Sequence, residues 1–72
     1  MKDVAISTDY ITLGQFLKYT GIITSGSDVK QYLSTNEVFV NDDTETRRGR
    51  KIYPGDNVRI KSITYLVIKK EK

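Results

Sequence analysis

Residues 11–21 read ITLGQFLKYTG, and this segment carries the clearest structural signals in the chain. Thr12 can cap a helix with its hydroxyl, while Gln15, three residues later, can reach back to the backbone nitrogen of the cap. Gly21 stands where a residue in the left-handed conformation commonly ends a helix. The segment therefore predicts a helix with one apolar face, formed by residues at helical spacing: Leu13, Phe16, Leu17 and Thr20.

A second helix is indicated by the residues that follow. Ser25 is the expected cap, with Asp28 three residues later, and Ser27 takes that place if the helix begins late. Asn36 is a suitable residue for a left-handed stop. Lys30 lies off the apolar stripe of this helix, so we expect it to be exposed. The stripe consists of Val29, Tyr32 and Leu33.

Short strands surround the helix pair in the sequence. Strands are predicted, from alternation or from β-branched and aromatic content, at residues 4–6, 38–40, 57–61 and 63–68. The order strand, helix, helix, strand, strand, strand predicts an α+β domain in which two helices pack on one face of a small, mostly antiparallel sheet. The last strand is able to pair with the first.

Turns and chain ends complete the predicted fold. Residues 41–43 and the Pro54-Gly55 pair have the composition of tight turns. Alternation over residues 57–61 places Arg59 and Lys61 on the solvent side of their strand. Residues 69–72 are expected to form a frayed tail.

Length and composition limit the classes of function. The chain has 72 residues, so we expect a single domain over residues 1–72 with little room for a deep pocket. It contains no cysteine and no histidine, which excludes disulfides, the usual zinc sites and histidine-dependent catalytic triads. The first residues are too polar for a signal peptide, and no apolar run approaches membrane-spanning length. We therefore expect a cytoplasmic, non-enzymatic protein with no membrane association.

Charge is distributed unevenly along the chain. Residues 1–46 hold three lysines and seven acidic residues, a net charge of −4, whereas residues 47–72 hold nine cations and two acids, a net charge of +7. The cations concentrate in residues 45–51, the sequence ETRRGRK, which we call the basic loop. Arginine forks suit phosphate oxygens, and Gly49 lets the backbone approach a ligand closely. This pattern favours a polyanionic partner, and a solvated loop kept polar for solubility is the alternative interpretation.

Acidic residues near the basic loop have a simpler interpretation than a metal site. Asp42, Asp43 and Glu45 offer the hard oxygen ligands that Mg²⁺ prefers, but turn chemistry sufficiently explains the two aspartates. Glu45 is expected to pair with neighbouring arginines at the surface, an effect of about 0.5 kcal/mol. We expect no metal and no cofactor.

Several motifs together resemble the alpha-L RNA-binding motif, the domain named after the fourth protein of the small ribosomal subunit. The resemblance covers about residues 11–61 and rests on ITLGQFLK, VFVN at residues 38–41 and PGDNVRI at residues 54–60. Within that superfamily, the sequence of the basic loop resembles the signature of the stand-alone bacterial YaaA and YbcJ family. The superfamily commonly has a further cation at the start of each helix, where this chain has Thr12-Leu13-Gly14 and Ser25-Gly26.

The resemblance implies a domain that docks on structured RNA, ribosomal or transfer RNA, through the helix pair and the basic loop. The two missing cations shift the contact towards the basic loop. The implied RNA-binding residues are Lys18, Ser25, Lys30, Arg47, Arg48, Arg50 and Lys51. Tyr53 follows the basic loop and is the best candidate among the tyrosines for stacking on a base. For Ser25, a role as helix cap competes with a role as ligand.

An adaptor that docks an acidic protein partner is the main alternative, because a basic loop suits an acidic protein equally well. An exposed apolar patch near Ile22 and Ile23 would favour the adaptor. A continuous positive face from Lys18 to Lys51 would favour RNA. No helix has the arginine, asparagine and glutamine content of a DNA recognition helix, and no glycine motif suggests a nucleotide or other small-molecule substrate.

Overall fold

The structure is a computed structural model that describes residues 1–24 and 28–70. The described residues form β1 (Lys2–Ile6), β2 (Ile11–Thr12), α1 (Leu13–Tyr19), α2 (Val29–Thr35), β3 (Val38–Val40), β4 (Asp43–Thr44), β5 (Lys51–Ile52), β6 (Asn57–Ile60) and β7 (Ile63–Lys69). The predicted α+β class and the order of the longer elements are confirmed. The prediction missed β2, β4 and β5, because two-residue strands are too short to show a periodicity.

The first helix begins and ends as predicted. The hydroxyl of Thr12 accepts a hydrogen bond from the Gln15 backbone N–H (3.3 Å), and the Gln15 side chain accepts one from the Thr12 N–H (3.0 Å). Gly21 has a φ of 81° and donates its N–H to the carbonyl of Lys18 (3.1 Å), which satisfies one of the last carbonyls of the helix. The local sequence therefore determines both ends of α1.

The second helix begins differently from the prediction. Asp28, expected inside the helix, is itself the cap, and its carboxylate accepts hydrogen bonds from the N–H groups of Lys30 (3.0 Å) and Gln31 (3.3 Å). A carboxylate is a strong acceptor for the unpaired N–H groups of a helix start, and its charge suits the helix dipole. The alternative caps, Ser25 and Ser27, lie outside the described residues. Lys30 is exposed, as predicted.

The prediction that Asn36 is a left-handed stop is wrong. Asn36 has extended backbone angles, with φ −130° and ψ 139°, because the chain enters β3 only two residues later. Its backbone N–H (2.9 Å) and its side-chain amide (3.1 Å) both donate to the carbonyl of Tyr32. These two hydrogen bonds close the end of α2 without a left-handed residue.

Within the described residues, five strands form a sheet in the order β1-β7-β6-β3-β4. The last strand, β7, pairs with the first, β1, as predicted, and this pair is parallel. The other pairs of this sheet are antiparallel. The expected frayed tail is wrong for Lys69 and Lys70. Lys69 is in register with Ile6, and the Lys70 N–H donates to the Ile6 carbonyl at 2.7 Å. Residues 71 and 72 lie outside the described residues.

Tight turns join the antiparallel strands. Asn41 and Asp42, with φ of 51° and 72°, form the two-residue turn between β3 and β4, and positive φ at both positions is typical of type I′. Gly55, with a φ of 97°, occupies the predicted turn after Pro54. Lys61 has a φ of 56° and lies in the turn after β6, so that strand is one residue shorter than predicted.

One hydrophobic core joins the helices to the sheet. Alternate residues of β3, β6 and β7 are buried, so one face of the sheet packs against the core and the other is half-exposed. On that outer face, the Arg59 guanidinium lies 4.2 Å from the ring centroid of Phe39. Among residues 1–24 and 28–70, neither helix has the length and apolar content to span a membrane. The largest fully buried side chains are Phe16, Leu13, Leu17, Ile52, Val38, Val40, Val58 and Val67.

The left-handed conformation of Gly21 gives a test of the helix end. Neither Gly21 nor Gly49 has a neighbouring atom within 4 Å of the position that an added Cβ would take, but only Gly21 has a positive φ. Gly21→Ala should therefore lower the free energy of unfolding by about 1 kcal/mol, while Gly49→Ala should change it by less than about 0.5 kcal/mol. Urea unfolding followed by circular dichroism measures both variants. Equal losses would contradict a conformational origin.

Candidate nucleic-acid interface

The backbone of the basic loop is fixed to the start of α1. The N–H of Leu13 donates to the carbonyl of Arg50 (2.8 Å), and the N–H of Gly14 donates to the carbonyl of Arg48 (2.9 Å). The first N–H groups of a helix have no partner inside the helix, so the basic loop satisfies two donors that would otherwise need water. A Cβ added at Gly14 would lie 3.4 Å from the Arg48 carbonyl oxygen. The loop and the helix are thus packed backbone to backbone.

Glu45 begins the basic loop and is the one buried charged residue among residues 1–24 and 28–70, with 5% of its surface exposed. Its backbone N–H donates to the carbonyl of Val38 (2.8 Å), which ties it to β3. Its carboxylate oxygen Oε2 accepts hydrogen bonds from the backbone N–H groups of Thr46 (3.1 Å) and Arg47 (3.0 Å). The side chain therefore lies beneath the loop and holds the first turn of its backbone.

Two of the loop arginines bind the same carboxylate. Arg47 donates from Nε to Oε2 (3.0 Å) and from Nη2 to Oε1 (3.1 Å), and Arg50 donates from Nη1 to Oε1 (2.7 Å). The predicted pairing of Glu45 with arginines is correct, but its description as a surface effect is wrong. The Glu45 carboxylate is covered by the loop, so its hydrogen bond with the partly covered Arg50 is better shielded from water than that with Arg47, whose side chain is 75% exposed.

The pKa of Glu45 is lowered from its ordinary value of 4.5 to about 2. The side-chain hydrogen bond from Arg47 is the largest cause, and the backbone N–H of Arg47 and the side chain of Arg50 add to it. Burial acts in the opposite direction. Glu45 is therefore a carboxylate at neutral pH and supplies one buried negative charge under four cations.

The four cations of the basic loop differ in their ion pairs and in their exposure to solvent. Arg48 and Lys51 form no ion pair with any of residues 1–24 or 28–70, although the Lys51 Nζ lies 5.0 Å from the ring centroid of Tyr10. The side chain of Arg47 remains 75% exposed despite its contact with Glu45, whereas that of Arg50 is 32% exposed. Arg48, Lys51 and the outer side of Arg47 thus carry the accessible positive charge.

Two adjoining grooves run beside the basic loop. The first, which we call the helix groove, measures about 390 Å³ and is lined by Thr12, Gly14, Gln15, Lys18, Asp28, Val29, Arg48 and Gly49. The second, which we call the loop groove, measures about 420 Å³ and is lined by Arg47, Gly49, Arg50, Lys51 and Tyr53. Gly49 borders both grooves, so its backbone is accessible from either side.

The structure brings most of the predicted site residues together. Lys18 joins Arg48 in the helix groove, and Tyr53 joins three basic-loop cations in the loop groove. Lys30 is exposed on α2 but lines neither groove, and Ser25 lies outside the described residues. The sequence analysis did not place Tyr10 in the site, because its neighbours Lys51 and Tyr53 are distant in sequence. It also missed the place of Asp28 beside Lys18.

Two observations concern the adaptor and the metal site, the alternatives to an RNA interface. Ile23 is buried and Ile22 half-buried, and both pack with the core, so they do not form the exposed apolar patch that would favour an adaptor. Asp42 and Asp43 are exposed at their turn, while Glu45 is bound by the arginines. In the described part of the chain, no group of three or more acidic residues is placed to hold a metal ion.

The helix pair, the docked basic loop and the sheet have the arrangement expected of a small domain of the alpha-L type. Residues 4–68 match the S4 domain family, and the chain belongs to this family. A relative from Bacillus subtilis (strain 168), the probable ribosome maturation protein RlbA, is 54% identical over 57 residues, which cover 79% of this chain and 80% of the relative. The resemblance to the alpha-L motif and its stand-alone bacterial members is confirmed.

The low pKa of Glu45 predicts a specific acid sensitivity. Because its pKa in the fold lies below 4.5, the carboxylate stabilises the protein fully above pH 4.5, and this contribution is lost as the pH falls towards 2. The full shift corresponds to an upper limit of about 3 kcal/mol, which solvent screening reduces because the Arg47 side chain is 75% exposed. Glu45→Gln should therefore be less stable than the wild type at pH 7 and should lose less stability over that acid range. Urea unfolding at several pH values measures both.

Glu37→Gln is the control for this experiment, because Glu37 is exposed and forms no ion pair with any described residue. It should leave both the stability at pH 7 and its acid dependence unchanged. The same acid dependence in Glu45→Gln and in the wild type would show that Glu45 does not contribute as inferred.

A comparison of Arg50 with Arg48 distinguishes a structural arginine of the loop from an accessible one. Arg50→Ala removes a 2.7 Å hydrogen bond to a buried carboxylate and should lower the free energy of unfolding by about 2 kcal/mol. Arg48→Ala removes the same charge from a side chain outside the ion pairs, and its effect should stay within about 0.5 kcal/mol. Urea midpoints give the comparison. Equal losses in the two variants would contradict this division.

Proposed function

We propose that this protein is a non-catalytic module that docks on structured RNA through the helix groove and the loop groove. One observation carries the proposal: Lys18 of α1, Arg48 of the basic loop and the backbone of Gly49 all line the helix groove. Two cations from separate elements flank an open backbone that a phosphate can approach. Membership of the S4 domain family supports RNA as the polyanion.

The geometry suits recognition of the RNA backbone. Arg48, which forms no ion pair within residues 1–24 and 28–70, offers a fork for phosphate oxygens, and Lys18 offers a point charge in the same groove. Base edges of double-stranded RNA lie in a deep, narrow groove, so a rigid basic surface reads backbone shape and hydroxyl groups more readily than sequence. We expect modest sequence specificity.

In this proposal the remaining loop cations act in two ways. Arg50 and the inner side of Arg47 hold the loop through Glu45, so the accessible cations are positioned before RNA arrives and less entropy is lost on binding. The exposed part of Arg47 and Lys51 extend the contact into the loop groove. Lys30 and Ser25 remain proposed contacts from the family resemblance, although Lys30 lines neither groove.

The Bacillus subtilis relative suggests which RNA this protein binds. Its name contains ribosome maturation, and at 54% identity we propose ribosomal RNA or a ribosomal particle in the cytoplasm as the partner of this chain. Four phosphate contacts would give a slope of roughly −3 to −4 in a plot of log affinity against log salt. Such binding is weak at physiological salt, and a ribosomal particle would supply further contacts.

Removal of the two helix-groove cations tests this proposal. Fluorescence anisotropy is measured with structured ribosomal RNA fragments, duplex DNA and single-stranded RNA at several salt concentrations. The wild type should prefer structured RNA, and the Lys18→Ala, Arg48→Ala double variant should bind it at least tenfold more weakly, with a salt slope smaller by about 1 to 2.

The charge-matched control is a Lys2→Ala, Lys70→Ala double variant, because both lysines are exposed and line neither groove. It should retain most of the affinity and the slope. Equal weakening in both double variants, or equal binding of the wild type to every polyanion, would contradict docking through this surface. Binding of an acidic protein in place of RNA would identify the adaptor.

A further inference from the structure

The ribbon formed by β2 and β5 has an outward face with unusual composition. Ile11 pairs with Ile52 and Thr12 pairs with Lys51 in antiparallel register. Side chains alternate along a strand, so the fully buried Ile52 places its neighbours Lys51 and Tyr53 on the outward face. Continuing the register by one residue sets Tyr10 opposite Tyr53. The outward face therefore combines two aromatic rings with a cation.

These two tyrosines differ from the other three in the chain. Tyr65 is buried with its ring 5.5 Å from that of Phe16, and Tyr32 packs against the core. Tyr19 donates its hydroxyl to the carbonyl of Ala5 at 2.9 Å. Core packing or a hydroxyl hydrogen bond thus accounts for each of these three side chains.

Tyr10 and Tyr53 form what we call the tyrosine pair, with ring centroids 5.6 Å apart and an interplanar angle of 47°. They are 39% and 47% exposed, and neither hydroxyl forms a hydrogen bond with any described residue. Lys51 lies over the ring of Tyr10, at 5.0 Å from its centroid. Tyr53 therefore presents the more open ring of the pair.

Two hydrogen bonds hold the backbone of Tyr53 in place. Its backbone N–H donates to the Asp56 carboxylate (2.9 Å), and its carbonyl accepts the Asp56 N–H (2.9 Å) across the Pro54-Gly55 turn. Tyr10 supports the ring from the opposite strand. An aromatic ring held in this way loses little conformational entropy when a flat ligand stacks on it.

We propose that Tyr53, supported by Tyr10, stacks on an unpaired base of the RNA, a role that rests on the proposed function and specifies its ligand. Tyr53 lines the loop groove together with Arg47, Arg50 and Lys51, so an aromatic face and positive charges adjoin. A nucleotide has the same two parts, a flat base and a phosphate, and base stacking on aromatic side chains is common in RNA recognition.

The ligand class follows from this geometry. Bases inside an RNA helix are stacked on one another and hidden, whereas an unpaired base can leave the stack. The helix groove contacts the backbone of a paired segment, and the tyrosine pair lies beside the adjoining loop groove. The matching RNA is therefore a helix that carries a bulged or single-stranded nucleotide next to its paired part.

The test compares two RNA hairpins that differ only in one bulged nucleotide. Fluorescence anisotropy is measured for the wild type, Tyr53→Leu and Tyr53→Phe. The wild type should bind the bulged hairpin roughly tenfold more tightly than the paired one, as expected for one stacked base. Tyr53→Leu should lose this preference, read as the ratio of the two affinities within the same variant, and Tyr53→Phe should keep it because the ring remains. Tyr19→Leu, the same substitution at another exposed tyrosine, should also keep it.

A second measurement reports stacking directly and does not depend on affinity. With 2-aminopurine at the bulged position, the wild type should quench its fluorescence on binding, and Tyr53→Leu should not. Binding of both hairpins with equal affinity and without quenching would overturn the stacking role and leave the proposed RNA docking intact. Failure of the proposed function has a different signature, since the wild type would then bind neither hairpin in preference to duplex DNA.

Discussion

The arrangement of the basic loop depends on the hydrogen bonds that the buried carboxylate of Glu45 accepts from two arginines. Its backbone is hydrogen-bonded to β3, and its side chain binds Arg47 and Arg50. Four cations within five residues repel one another, and a negative charge beneath them reduces that repulsion while fixing the direction of two of them. The carbonyls of Arg48 and Arg50 then accept the first free N–H groups of α1. Glu45 therefore ties the basic loop to the sheet, and the carbonyls of that loop tie it to the helix.

This arrangement gives the arginines of the basic loop different roles, one structural and one available for binding. A run of similar side chains in the sequence becomes a set in which Arg50 is half-covered and held by Glu45, and Arg48 lines an open groove with Lys18. The difference arises from the direction in which the fixed backbone turns each side chain. A binding surface built in this way is organised before its ligand arrives, which is the condition under which weak individual contacts add up to recognition.

The small ribbon of β2 and β5 also positions side chains of the surface before a ligand arrives. Its two residue pairs bury Ile52 and place Lys51 outward. The flanking residues Tyr10 and Tyr53 meet only because this ribbon forms. Two-residue strands contribute little to stability by themselves, yet here they position the aromatic part of the surface beside the charged part.

The sequence alone determined the features that depend on neighbours along the chain. The capping box at Thr12, the left-handed Gly21 and the Pro54-Gly55 turn were predictable because capping, positive φ and ring constraints act within four residues. The long strands, the cationic segment and the family were also readable from local patterns. Tertiary structure decided the burial of Glu45, the roles of the individual arginines and the meeting of the two tyrosines. These features depend on pairing between segments far apart in sequence, and local patterns carry no information about such pairing.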